Sequence, residues 1–166
     1  LSFPTRMTAA RRPLLSRLAV GLALAPALLL VPLVAQGARI EVAFPADRSA
    51  QPLDGRLLVI LTRRETTEPR FQVGDGLDSA QVFGIDVEGW APGRAVSIDR
   101  AALGHPLRSL ADVPDGEYTV QALLHRYETF RRGDGHVVKL PMDRGEGQQW
   151  NKAPGNLFST PRRKVS

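Results

Sequence analysis

From residue 38 onward, apolar and polar positions tend to alternate with a period of two, and the runs are cut short by Gly, Pro, Asp and Ser. Such a pattern predicts half-buried strands joined by turns. Ile40, Val42 and Phe44 alternate with Arg39, Glu41 and Ala43, and Pro45 closes the run. Arg56 to Thr62 is apolar on both faces, with Leu57, Val59 and Leu61 opposite Leu58 and Ile60. A strand buried on both faces belongs in the middle of a sheet. Gln81 to Val87 and Arg94 to Asp99 are two further strands, separated by the turn Trp90-Ala91-Pro92-Gly93. Trp90, beside that turn, is expected at the edge of the core.

The strongest strand is Glu117 to Tyr127, entered through the turn Pro114-Asp115-Gly116. Tyr118, Val120, Ala122 and Leu124 form its core face. Thr119, Gln121, Leu123, His125 and Tyr127 form a mixed face, suited to meeting a ligand or another domain. Gly133-Asp134-Gly135 predicts a hairpin tip leading into a strand over His136 to Leu140. Residues 63–80 and 142–158 read as long loops, a length that in a compact domain marks either a functional segment or a missed element. No sustained helical stripe follows residue 37. About seven short strands over some ~130 residues predict an all-β, antiparallel immunoglobulin-like β-sandwich.

The first 37 residues have a different character. Arg11, Arg12 and Arg17 precede an uncharged apolar run from Leu18 to Ala35, and Ala35-Gln36-Gly37 places small residues at a cleavage site before Ala38. That order predicts a signal peptide over 1–37, formed as an apolar helix, with Met7 as an alternative start. Retention as a membrane anchor is the competing reading, but Pro26 and Pro32 interrupt the run. The expected location is therefore exported, periplasmic or extracellular, with membrane contact only through an uncleaved leader. The domain itself is 38–166.

Charge changes the picture once. The chain carries +5, but Arg6, Arg11, Arg12 and Arg17 all lie before residue 38, leaving 18 basic residues against 17 acidic ones. A near-neutral domain lacks the electrostatic footprint of a nucleic-acid partner. The absence of cysteine excludes disulfides, a cysteine nucleophile and thiolate zinc sites.

Candidate chemistry is sparse. No serine sits in G-x-S-x-G, and no H-E-x-x-H, phosphate-binding glycine loop or dinucleotide fingerprint occurs. The chain alone is thus expected to be non-catalytic. His105, His125 and His136 have no spacing that demands a metal, and Asp134, Asp143 and Glu146 match no calcium loop. Neither a metal site nor a cofactor is expected. Arg132-Gly133-Asp134 spells an adhesion tripeptide, although Gly and Asp are also what a tight turn requires. The segment from Asp143 to Phe158 combines glycines, amides and one large aromatic. Trp150 either stacks on a sugar or a neighbouring domain, or folds back to cap the sandwich. Trp150, Gln148 and Asn151, together with His125 and Tyr127 on the mixed face, are the candidate binding residues.

Four stretches, EPRFQVGDG (68–76), QVFGIDVEGW (81–90), SLADVPDGEYTVQALLHRYETF (109–130) and DGHVVKLPMDRGEGQQWNKAPGNLFSTP (134–161), resemble the N-terminal region of large exported bacterial esterases. In that family a leader and a β-sandwich-like domain precede an α/β-hydrolase domain of the enterochelin-esterase-like kind. The resemblance covers nearly all of residues 38–166. It implies an accessory domain whose intramolecular partner, an α/β-hydrolase domain carrying the catalytic residues, follows Ser166. The alternatives are a free-standing periplasmic binding module, for instance for carbohydrate, and a structural interaction domain.

Overall fold

The computed structural model describes residues 38–76, 78–143, 145 and 149–165. The expected leader over 1–37, its alternative start Met7, and the loop residues Glu146 and Gln148 lie outside the described residues. Within them the chain forms nine strands and two short 3-10 turns. The strands are β1 (Ile40–Val42), β2 (Leu53–Thr62), β3 (Gln81–Trp90), β4 (Val96–Ile98) and β5 (Leu103–His105), then β6 (Glu117–Arg131), β7 (Val137–Pro141), β8 (Leu157–Phe158) and β9 (Arg162–Val165). Every pairing is antiparallel. The fold is all-β, as the alternation predicts. No helix among the described residues is long and apolar enough to cross a membrane.

The doubly apolar β2 is central: it pairs with β3 on one side and β6 on the other, within the order β5-β3-β2-β6-β7. Registers such as Leu57↔Ile85 and Leu57↔Leu124 put side chains of like direction side by side. The inner face collects Leu57, Val59, Leu61, Phe83, Val87, Tyr118, Val120 and Leu124 into one buried cluster. A separate two-stranded sheet, β1 with β4, covers that cluster with Ile40, Val42, Val96 and Ile98. Phe44 and Trp90 meet edge to face at 4.8 Å beside it. Trp90, 3% exposed, is a core residue, and its indole N–H donates to the Arg94 carbonyl at 2.7 Å.

Beside Trp90 the register of β2 and β3 slips between Leu53 and Gly55. Gly89 takes up the slip at a φ of 55°, a left-handed value that glycine tolerates best. Its N–H is held by the Asp54 carboxylate at 2.7 Å. On the outer face, a Cβ at Gly84 would come within 2.6 Å of Leu58 Cδ2, so glycine there lets Leu58 lie across the sheet.

Strand β6 runs four residues beyond the expected end at Tyr127. Its pairing with β2 stops at Arg126, and from Tyr127 to Arg131 it pairs with β7. One edge of β6 therefore serves β9, β8 and β7 in succession. The turn before β6 is tied by the Tyr118 hydroxyl, which donates to the Pro114 carbonyl at 2.8 Å. The predicted hairpin tip closes β6 onto β7, with Gly135 at a φ of 85° and Arg132 N–H donating to the His136 carbonyl at 2.8 Å.

Two expectations need correction. Strands β5 and β8 add to the predicted set; at two or three residues each they are too short for a period to show. The mixed face is also not open along its length. Gln121 is 1% exposed and Leu123 is fully buried. Parts of the segments read as long loops account for this: the turn Pro69–Phe71 lies against Gln121 and is tied to Asn151, while β8 pairs along the edge of β6.

Candidate functional site

The buried amide of Gln121 organises the covered half of the outer face. Its Oε1 accepts from Arg70 N–H at 3.1 Å, and its Nε2 donates to Glu68 Oε2 at 2.8 Å and to the Ser159 carbonyl at 3.0 Å. A buried amide is tolerated when its donors and acceptor are matched in this way. The hydrogen bond from Gln121, then that from Arg70, hold the Glu68 carboxyl below its ordinary pKa. The Arg70 guanidinium lies over the rings of Phe158, at 4.1 Å, and Phe71, at 4.3 Å.

Asn151 belongs to this same network. Its carbonyl accepts from Arg70 Nη1 at 2.8 Å, and its Nδ2 donates to the Arg70 carbonyl at 3.4 Å. Trp150 is half-buried. Its carbonyl accepts from Asn156 Nδ2 at 2.8 Å, while Asn156 Oδ1 accepts from Arg126 N–H at 3.0 Å. A single amide side chain thus links the Trp150 backbone to β6, next to His125.

Farther along the outer face, Arg56 stands in register with both Asp86 and His125. Its Nη1 donates to Asp86 Oδ1 at 3.0 Å. His125 and Tyr127 are both half-buried, with ring centroids 6.1 Å apart and planes at 70°. The imidazole has no hydrogen-bond partner among the described residues. Burial pushes its pKa below the usual histidine value, so it is neutral at pH 7. Burial raises the Tyr127 phenol, the Asp86 carboxylate adds to that shift, and Arg56 opposes it. Of the five candidate binding residues, the structure therefore places His125 and Tyr127 together on one patch. It sets Trp150 and Asn151 in the segment bound to the same strand, and Gln148 lies outside the described residues.

Arg70, Asp86 and Asn156 carry no signal in the sequence, and Arg56 and Gln121 enter it only as strand positions. Arg56 and Asp86 are 30 positions apart and are neighbours only through strand register. A buried glutamine carries no linear signature beyond its place among apolar residues.

The other candidate chemistry is dispersed. His105 ends β5, and His136 sits at the hairpin tip, with Nδ1 3.2 Å from Asp134 Oδ1. Asp134 also pairs with Arg132 at 3.0 Å, so the two charges of the tripeptide face each other. Among the described residues no three His, Asp or Glu side chains gather closely enough to hold a metal ion.

On the inner side, a cleft of about 380 Å³ opens between the segment from Val42 to Arg48 and the segment from Leu157 to Arg162. Its floor is Phe44, Leu57, Trp90 and Leu124, all buried. Its rim carries the exposed residues Asp47, Arg48, Ser159 and Arg162. Comparison of the chain with protein families, curated proteins and solved structures finds no match.

Proposed function

We propose that residues 38–166 are the non-catalytic accessory domain of an exported esterase-like hydrolase, built as an immunoglobulin-like β-sandwich. The observation that carries the reading is the His125–Tyr127 patch. A half-buried, neutral imidazole, without a hydrogen-bond partner among the described residues and beside a tyrosine, offers apolar area with polar tips, the composition favoured where one protein surface meets another. The docking partner is an α/β-hydrolase domain C-terminal to Ser166. The sandwich part of the proposal draws on the β1–β4 sheet laid over the inner face. It also draws on Tyr118, whose hydroxyl reaches the carbonyl four residues upstream at the start of a strand, as in the tyrosine corner of immunoglobulin-like domains.

The test begins with the genomic frame beyond the codon for Ser166. It should continue into a domain with a G-x-S-x-G elbow, and a stop codon there would sink the hydrolase reading. In the full-length protein, Tyr127→Ala should loosen domain docking, seen as faster proteolysis between the domains, without unfolding residues 38–166. Glycan binding abolished by Trp150→Ala would instead favour the carbohydrate-binding module.

A further inference from the structure

We infer that the inner cleft binds a medium-chain aliphatic carboxylate, with its chain on the apolar floor and its head group at the arginine rim. This inference does not depend on the hydrolase reading.

The cleft is built for two chemistries at once. Its volume of about 380 Å³ falls within the range of small-ligand sites. The half-buried Val42 and Leu157 present apolar surface on the two walls, above an apolar floor of Phe44, Leu57, Trp90 and Leu124, each at most 6% exposed. Neither a sugar nor a charged peptide gains much from such a floor, because their polar groups would lose water without finding partners. An alkyl chain loses nothing there and leaves water.

The rim supplies charge of one predominant sign. Arg48 and Arg162 come from the two opposite walls and outnumber the single carboxylate Asp47. Neither guanidinium makes an ion pair among the described residues, whereas many other arginines here are paired, as with Arg56 to Asp86 and Arg163 to Glu65. Guanidinium forks match a carboxylate in geometry as well as charge. A chain with a neutral head would use only the floor, and a short anion only the rim.

The chain's two tryptophans provide the readout. Trp90 lines the cleft, and Trp150 does not line it. Sodium decanoate, titrated below its micellar concentration into the 15N-labelled full chain, should move the Trp90 indole N–H resonance saturably and leave that of Trp150 in place. Octanoate should bind about ten-fold more weakly, for two methylenes lost. Decanol, and decanoate added to the double variant Arg48→Gln/Arg162→Gln, should each lose roughly ten-fold or more, the worth of a charge-assisted contact. Both arginines are exposed, so the double variant should melt as the parent does. The inference is overturned by an unmoved Trp90 signal, by equal affinity for decanoate and decanol, or by equal binding in the double variant. If Trp90 responds while the frame beyond Ser166 encodes no hydrolase, this site stands and only the proposed function falls.

Discussion

The inner face of the β2–β3–β6 sheet and the half of its outer face around Gln121 are both buried, but by different means. The inner face is closed by apolar side chains: Leu57, Val59, Phe83 and Leu124 meet Phe44, Ile98 and Leu110 from the covering elements. The covered part of the outer face is closed by two irregular segments, held by the buried amides of Gln72, Gln121 and Asn156 and by a stacked arginine. Apolar closure is non-directional and tolerates approximate fit. Closure through Gln121 is directional, since each bond has a fixed donor and acceptor and an unmatched one is costly. The outer face therefore specifies where residues 63–80 and 149–160 sit, while the inner face supplies most of the driving force.

The largest break in this comparison should come from Phe83→Ala. The ring is fully buried, and its loss should cost about 3–5 kcal/mol in urea unfolding. Leu124→Ala should follow at about 2–5 kcal/mol. Equal losses at Leu124 and the adjacent His125 would contradict the separation of faces.

Gln121→Leu sharpens the contrast. It keeps much of the volume but leaves Arg70 N–H, Glu68 and the Ser159 carbonyl without their partner, and should cost about 1–3 kcal/mol. If Gln121→Leu were as stable as the parent, the outer face would be an apolar seal like the inner one. The same variant should raise the Glu68 pKa, measured by carboxyl NMR titration, because the first cause of its depression is removed. With a depressed folded pKa, the contribution of Glu68 is present above the ordinary glutamate value of about 4.3 and fades as pH falls through the folded value. The stability gap between the parent and Gln121→Leu should therefore narrow in acid.

The smallest effect belongs to His125. Its folded pKa is lowered by burial, so the unfolded chain takes up a proton first as pH falls below about 6.5. The parent should lose stability on going from pH 7 toward pH 5, and His125→Gln should lose less over that interval in thermal melts. Identical pH profiles would mean that the imidazole is solvated in the folded protein.

Much of this was legible beforehand. The double apolar run of β2 announced a central strand, and the alternation of Tyr118, Val120, Ala122 and Leu124 announced the core face. The turns at Pro114-Asp115-Gly116 and Gly133-Asp134-Gly135 fell where glycine and aspartate placed them. The mixed face of β6 was recognised as unusual, but not that the chain's own segments cover its Gln121 and Leu123 positions. A polar residue among apolar ones looks the same whether a ligand, a domain or the chain's own loop will meet it. The cleft was not legible at all, because Phe44, Trp90, Leu124 and Arg162 are far apart in sequence.

What the sequence determined by itself is what local periodicity and turn chemistry control: strands, their central member, and the side of each strand that turns inward. Tertiary structure alone decided which segments cover the second face, how β6 divides its edge among β9, β8 and β7, and which arginines stand beside a cleft without an ion pair among the described residues. Those outcomes depend on register and on long-range hydrogen-bond matching. Both join residues tens of positions apart, and neither leaves a local trace.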